Sequence, residues 1–208
     1  MLETLIERTP YLAGGFATNL LISALSMALG TGLGALLGLV RANRTRGLTR
    51  AAGMATNVCR NVPSFVLLFY MAFMLPSEID WAGRIIAVPV WIKATLALTF
   101  PVVGFASDQS LGYFTQVRAG IAGARETFAI AWIQYFLIII MASATASVIG
   151  ADEIVGRANT IIAQNDSASF LLVTYLYVSA WFLMTGLAVS NLSLWLFRSG
   201  GSRARAIR

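Results

Sequence analysis

The 208 residues include no histidine and a single cysteine, Cys59. The commonest general base and metal ligand is therefore missing, and one cysteine cannot close an internal disulfide. No HExxH, GxSxG or Walker-type glycine loop occurs. Charge is also scarce: 12% of residues are charged, about half of what a soluble domain of this size carries. Polar residues do not alternate with apolar ones at helical or strand period, as an amphipathic soluble fold would need. The start, "MLETLIERTP", is acidic rather than basic, and the apolar run after it is too long for a cleaved signal segment.

What the chain does have is apolar length. It is 58% hydrophobic, with a mean hydropathy of +0.75. Charge is absent from Thr9 to Val40, Asn61 to Ser77, Ala94 to Ser107, Thr127 to Ala151 and Ser167 to Phe197. A helix needs roughly 20 apolar residues to cross a bilayer, because each backbone polar group must be satisfied within the segment. The expected fold class is all-α: one polytopic membrane domain over residues 1–208, with five spans near 11–40, 61–77, 85–107, 127–149 and 168–197. The third is long enough only if it starts near Ile85 and lets Lys93 snorkel to the interface.

Charge sets the orientation. With the loop after the first span cytoplasmic, that side holds Arg41, Arg44, Arg46, Arg50, Arg60, Arg118, Arg125, Arg198, Arg203, Arg205 and Arg208, eleven of the 15 basic residues. This is the bias of the positive-inside rule, with the N-terminus outside and the C-terminus cytoplasmic. The high pI, near 10.1, then reflects topology and attraction to anionic lipid rather than nucleic-acid binding. The segment Arg41 to Arg60 reads as an amphipathic helix at the interface. No acidic residue falls within an expected span, whereas ion-coupled transporters keep ionisable groups at membrane depth. A solute mover of this kind draws its energy from a partner.

Within the spans, Ser26, Gly30, Gly34 and Gly38 share one helix face, a small-residue stripe suited to close packing, inside the subunit ahead of a subunit interface. Ala142, Ala146 and Gly150 form a similar row, with Ser143 and Ser147 beside it, suited equally to packing or to lining a polar path. Pro63 opens the second span and Pro101 interrupts the third. Asn19, Gln134, Ser143, Thr145 and Ser147 are polar residues within spans and are the candidates for a substrate path.

Three stretches in register resemble one family. "FATNLLISALSMALGTGLGALLGLVRAN", from Phe16, is similar to the first span of permease subunits of polar amino acid-type ABC importers. "RNVPSFVLLFYMAFMLP" resembles the Arg-Gly-Thr-Pro opening of their second span, with Arg60 and Pro63 matching and Asn61 and Val62 departing. "SATASVIGADEIVGRANTI" resembles the Ser-Val-Ile-Gly-x-x-Glu end of their fourth, through Ser147, Val148, Ile149, Gly150 and Glu153. The resemblance implies an alternating-access permease supplying half of the path for a polar or charged amino acid or similar small solute. It also implies a second permease subunit, in a heterodimer or homodimer, ABC ATPase subunits that bind the ATP, and an extracytoplasmic solute-binding protein. The setting it implies is membrane lipid of a bacterial cytoplasmic (inner) membrane. The chain itself would be no enzyme and would bind no cofactor, metal or nucleic acid.

The family's ATPase-coupling loop falls at "RAGIAGARETF". Gly123 and Glu126 keep its Gly-x-x-Glu spacing, and Arg118 and Arg125 supply charge, while Ala124, Thr127 and Phe128 depart from the pattern. The interval from Glu126 to the Ser-Val-Ile-Gly motif is shorter than in the family by roughly 20 residues, about one span's worth. A shrunken coupling loop is one reading; a plain connecting turn is the other. Asp152, Glu153, Arg157 and Asp166 fall on the outer face, where a binding protein would dock. A non-transporting scaffold or regulatory subunit and a passive channel are the alternatives in other classes.

Overall fold

The computed structural model describes residues 2–43, 46–165 and 167–205; Arg44, Asp166 and Arg208 lie outside them. In chain order the helices are α1 (Leu2–Glu7), α2 (Thr9–Ala42), α3 (Arg46–Asn61) and α4 (Ser64–Met74). A hairpin of β1 (Glu78–Trp81) and β2 (Arg84–Ala87) precedes α5 (Val90–Arg118) and α6 (Ala124–Ser143). A 3-10 segment (Ala144–Ile149), α7 (Ile154–Ala163) and α8 (Ala168–Arg205) complete the chain.

Four helical stretches among the described residues are long and apolar enough to cross a membrane: Thr9–Ala42, Val90–Arg118, Ala124–Ile149 and Ala168–Trp195. They overlap four of the five expected spans, although the third runs over Val90–Arg118 rather than 85–107. The other, near 61–77, differs. Its helix α4 has 11 residues, about 16 Å of rise against a hydrocarbon layer of about 30 Å.

Next to α4 along α5 lies α3. Thr56 Oγ1 lies 2.8 Å from Ser107 Oγ, the backbone of Arg60 lies against Gly104, and Leu75 O lies 2.9 Å from Lys93 Nζ. Ascending positions on α3 and α4 thus meet descending positions on α5, so the two short helices form one broken element antiparallel to it. Within Arg41 to Arg60, α3 packs along α5 through Ala52 and Thr56, both buried. Proline makes the break. It disfavours helical backbone at Val62, and Pro63, at φ −60 and ψ 130, begins α4 anew.

The stripe on α2 packs inside the subunit, as expected. A Cβ at Gly34 would stand 2.6 Å from Val103 O and from Ala106 Cβ, and one at Gly38 would stand 2.7 Å from Ser110 Cβ. Only hydrogen at those positions lets the two backbones come this close. Around the seam, Ile22, Met27, Leu68, Leu98, Val102 and Ile139 form one buried cluster. A second joins α1, α7 and α8 to the start of α2 through Leu5, Leu12, Phe16, Ile154, Ile161 and Phe170.

Lys93 does not snorkel. It is 3% exposed, and its ammonium donates to Ala72 O at 3.3 Å, Leu75 O at 2.9 Å and Ser77 Oγ at 3.4 Å. The carbonyls at the end of a helix have no partner within it, and here a cation supplies one where the dipole favours positive charge. Lys93→Met is expected to cost about 2–3 kcal/mol and to loosen the hairpin that follows α4. The check is faster limited proteolysis between residues 76 and 89.

A cavity and two polar clusters as the candidate functional site

The broken element opens a cavity of about 240 Å³. Arg60, Asn61 and Ser64 come to it from the break, Pro101 from α5, and Tyr135 and Ala142 from α6. Pro101 does not end its helix; α5 runs on to Arg118. The phenol of Tyr135 donates to Pro101 O at 3.1 Å, and its ring stacks on Phe105 with centroids 3.8 Å apart. The cavity thus meets α5 near its middle. Larger grooves exist; the one lined by Leu33, Leu37, Cys59 and Phe100 offers a polar solute nearly nothing, and the one lined by Phe16, Tyr177, Trp181, Met184 and Thr185 is mostly apolar. Acyl chains suit them better.

Behind Arg60 stands a charged cluster that the sequence reading did not place in a span. Asp108 lies inside α5, which corrects the expectation that no acid falls within one. Arg41 Nη1 bonds Asp108 Oδ1 at 2.7 Å and Arg60 Nη1 bonds Oδ2 at 2.9 Å. Arg41 Nη1 also donates to Ser107 Oγ at 2.9 Å, and the Thr56 and Ser107 hydroxyls bond one another. An ion pair with such added donors is what makes a charge tolerable at depth. The charge of Asp108 ends the apolar run at Ser107, and Arg41, directly after the first apolar run, is its partner.

A second cluster gathers two of the path candidates. Asn19, Ser143 and Glu153 are each 0% exposed. Asn19 Nδ2 donates to Ser143 Oγ and to Glu153 Oε2, both at 2.9 Å, and Asn19 Oδ1 accepts from the Ile154 amide at 3.1 Å. Glu153 caps α7, taking the Val155 amide at 3.1 Å and the Gly156 amide at 2.8 Å. Burial pushes its carboxyl pKa upward, against the pull of the Val155, Asn19 and Gly156 donors, and the charge of Asp152 adds to the rise. All three hydrogen-bond partners of its side chain are donors, from which a carboxylate can accept. Glu153 is therefore not part of a solvated outer face, as the sequence suggested; it joins α7 to α2 and to the end of α6.

The remaining candidates are dispersed. Gln134 is exposed on α6, in a groove with Ser190 and Ser193 of α8. Thr145 donates to Ala142 O at 2.6 Å and Ser147 to Ala144 O at 2.9 Å, so both hydroxyls serve their own 3-10 turn. Gly150 ends that turn at φ 82, a left-handed conformation that glycine adopts without strain. At the same end of the molecule as α7, Arg157 grips Asp152 at 2.9 and 2.7 Å and donates to Tyr11 O at 2.6 Å, and the guanidinium holds the Asp152 pKa below its ordinary value.

At the opposite end, residues 119–123 join α5 to α6 with no helix between them. Gly120 and Gly123 have φ of 69 and 85, which closes the turn. Arg118 reaches back to Ala42 O at 2.6 Å and Asn43 Oδ1 at 3.3 Å, closing the end of α2. Arg125 and Glu126 are exposed at the start of α6.

No protein-family model matches the chain, and no curated protein does. Two solved structures share its fold. A chain of an amino acid ABC transporter crystallised with histidines aligns at a TM-score of 0.76 and 18% identity, over 96% of this chain and 98% of that one. A chain of the MetNI methionine ABC transporter, in inward-facing conformations, aligns at 0.63 and 15% identity, over 90% and 96%. At such identities the likeness is one of architecture. The chain has an ABC importer permease-like fold.

Proposed function

We propose that this chain is a permease subunit of an ATP-driven importer for a polar or charged amino acid or a similar small solute. In this reading it spans a bacterial cytoplasmic membrane five times, the α3–α4 pair making the second crossing, with its N-terminus outside. It supplies half of an alternating-access path and no chemistry; ATP is hydrolysed on separate ABC ATPase subunits. A second permease, in a heterodimer or homodimer, encloses the path, and a solute-binding protein delivers from outside to the face that carries Asp152 and Arg157.

The observation that carries the reading is the end-to-end likeness to ABC transporter chains, with the α3–α4 break opening a cavity beside α5, mostly apolar but reached by Arg60, Asn61, Ser64 and Tyr135. Broken helices at mid-depth are where membrane transporters place polar ligands, because backbone groups freed from the helix can be used there. In this reading the segment from Arg118 to Glu126 meets the ATPase as a turn rather than a helix, and in a heterodimer the partner permease carries most of the ATPase stroke. Asn19 and Ser143 brace the path, and Gln134, Thr145 and Ser147 stand nearer its edge.

The test is co-purification of the tagged chain from native membrane in mild detergent, with mass spectrometry of what accompanies it. An ABC ATPase and a second permease are the expected partners. Recovery of the chain alone, or with unrelated membrane proteins, overturns the reading.

A further inference from the structure

We infer that the cavity at the α3–α4 break selects small solutes of net negative charge, carboxylates foremost, with Arg60 as the group that meets them; this rests on the permease reading above. The argument begins with a charge count. Two guanidiniums share the single carboxylate of Asp108. Arg41 is the tightly held one: its side chain is 17% exposed, and the same Nη1 atom reaches Asp108, Ser107 and, at 3.5 Å, Thr56. Arg41 alone therefore balances Asp108.

Arg60 is the surplus. Its side chain is 55% exposed, its one bond among the described residues runs from Nη1 to Asp108, and it lines the cavity. No acidic side chain lines that cavity among the described residues. The backbone of Arg60 lies against Gly104 and its guanidinium reaches one turn further along α5 to Asp108, so the cluster carries one positive charge that Asp108 does not balance. An anion in the cavity balances it.

The geometry of the group narrows the anion. A guanidinium is a planar fork, and with Nη1 committed to Asp108 its Nε and Nη2 edge is left for a two-oxygen partner such as a carboxylate. Asp108, behind Arg60, fixes the fork's direction. Ser64 adds a hydroxyl, and the Tyr135 oxygen, having donated its proton to Pro101 O, remains an acceptor for a neutral or ammonium portion of the solute. A net cation meets Arg60 with no carboxylate to offset it, and like-charge opposition is how such sites reject the wrong solute.

The experiment uses the chain with whatever partners co-purify, in nanodiscs and without any solute-binding protein. Its thermal unfolding midpoint is followed against rising L-glutamate, L-glutamine or L-arginine. L-glutamate is expected to raise the midpoint, with L-glutamine weaker and L-arginine without effect. Arg60→Gln should weaken the apparent L-glutamate affinity at least tenfold and Arg60→Lys less, while Asp108 keeps Arg41 and the solute-free midpoint stays close to that of the parent. The inference is overturned if L-arginine protects as well as L-glutamate, if neither protects, or if Arg60→Gln responds like the parent. The comparison of glutamate with arginine on the parent protein needs no substitution, so it decides even if the variants misfold. ATP-driven uptake in proteoliposomes separates the two claims: uptake that ignores solute charge removes this inference and leaves the importer, whereas no ATPase partner and no uptake removes the importer itself.

Discussion

Gly34→Leu is expected to leave little folded protein, whereas Gly32→Leu two residues away should be almost silent. A Cβ at Gly34 would stand 2.6 Å from Val103 O, 2.6 Å from Ala106 Cβ and 2.9 Å from the Ser107 amide nitrogen, while one at Gly32 meets nothing within 4 Å. Two of the three obstructing atoms belong to the backbone of α5 and cannot rotate away. The helices must part, and with them the contacts at Gly30 and Gly38. Overpacking a well-filled core costs about 1–3 kcal/mol when side chains can adjust; with backbone on the other side, at least about 3 kcal/mol is expected. Gly32→Leu should change stability by less than about 0.5 kcal/mol. The midpoint of thermal unfolding in detergent, read with the monodisperse fraction on size exclusion, tests both. Equal behaviour of the two variants would sink the account of the seam.

Glu153→Ala should be the second most damaging of the changes considered, although it removes a buried charge. Two effects oppose one another. Burial penalises the carboxylate, so its removal relieves a desolvation cost. The Asn19 amide and the Val155 and Gly156 amides would then lose their acceptor. A lost helix cap is worth about 1 kcal/mol, and an orphaned buried donor about 1–3 kcal/mol. The donors win, and a net loss of about 2–4 kcal/mol is expected. Glu153→Gln should fall between, since its amide nitrogen would face amide donors at one of the two oxygen positions. Because Asn19 and Glu153 share bonds, Asn19→Ala combined with Glu153→Ala should cost clearly less than the sum of the single changes. Strict additivity, measured by thermal unfolding of the four proteins, would mean that the cluster does not act as a unit.

Legibility in the sequence followed the local or distant origin of each feature. The four long helices were plain because a charge-free run and a helix in lipid obey the same rule: no partner is needed except the helix's own backbone. The α2 stripe was legible for a related reason, since glycines at four-residue spacing show closeness without naming what comes close. The α3–α4 element was not legible. Arg46, Arg50 and Arg60 broke the apolar run, and nothing local says that α5 covers one side of that helix through Thr56 and Ala52. Asp108 misled in the same way; a single charge looks like a terminus unless its two arginines, distant in sequence, are seen with it. Glu153 reads as a solvated acid in the sequence because glutamate is an uncommon cap and its partner Asn19 lies 134 residues away. The hairpin of Glu78–Trp81 with Arg84–Ala87 is too short to give a periodic signal, so its second strand was absorbed into the following span.

The α2–α5 seam also bears on how the protein responds to temperature. In water, close-packed apolar surfaces owe much of their cohesion to solvent entropy and lose it on cooling. Between helices in a bilayer the lipid tails are as apolar as the side chains, so a contact made of glycine, alanine and backbone is held by dispersion. Its attraction is enthalpic, and chilling does not weaken it. A joint of this kind keeps its grip in the cold, and the seam between α2 and α5 should be among the last parts of the molecule to loosen as a membrane cools.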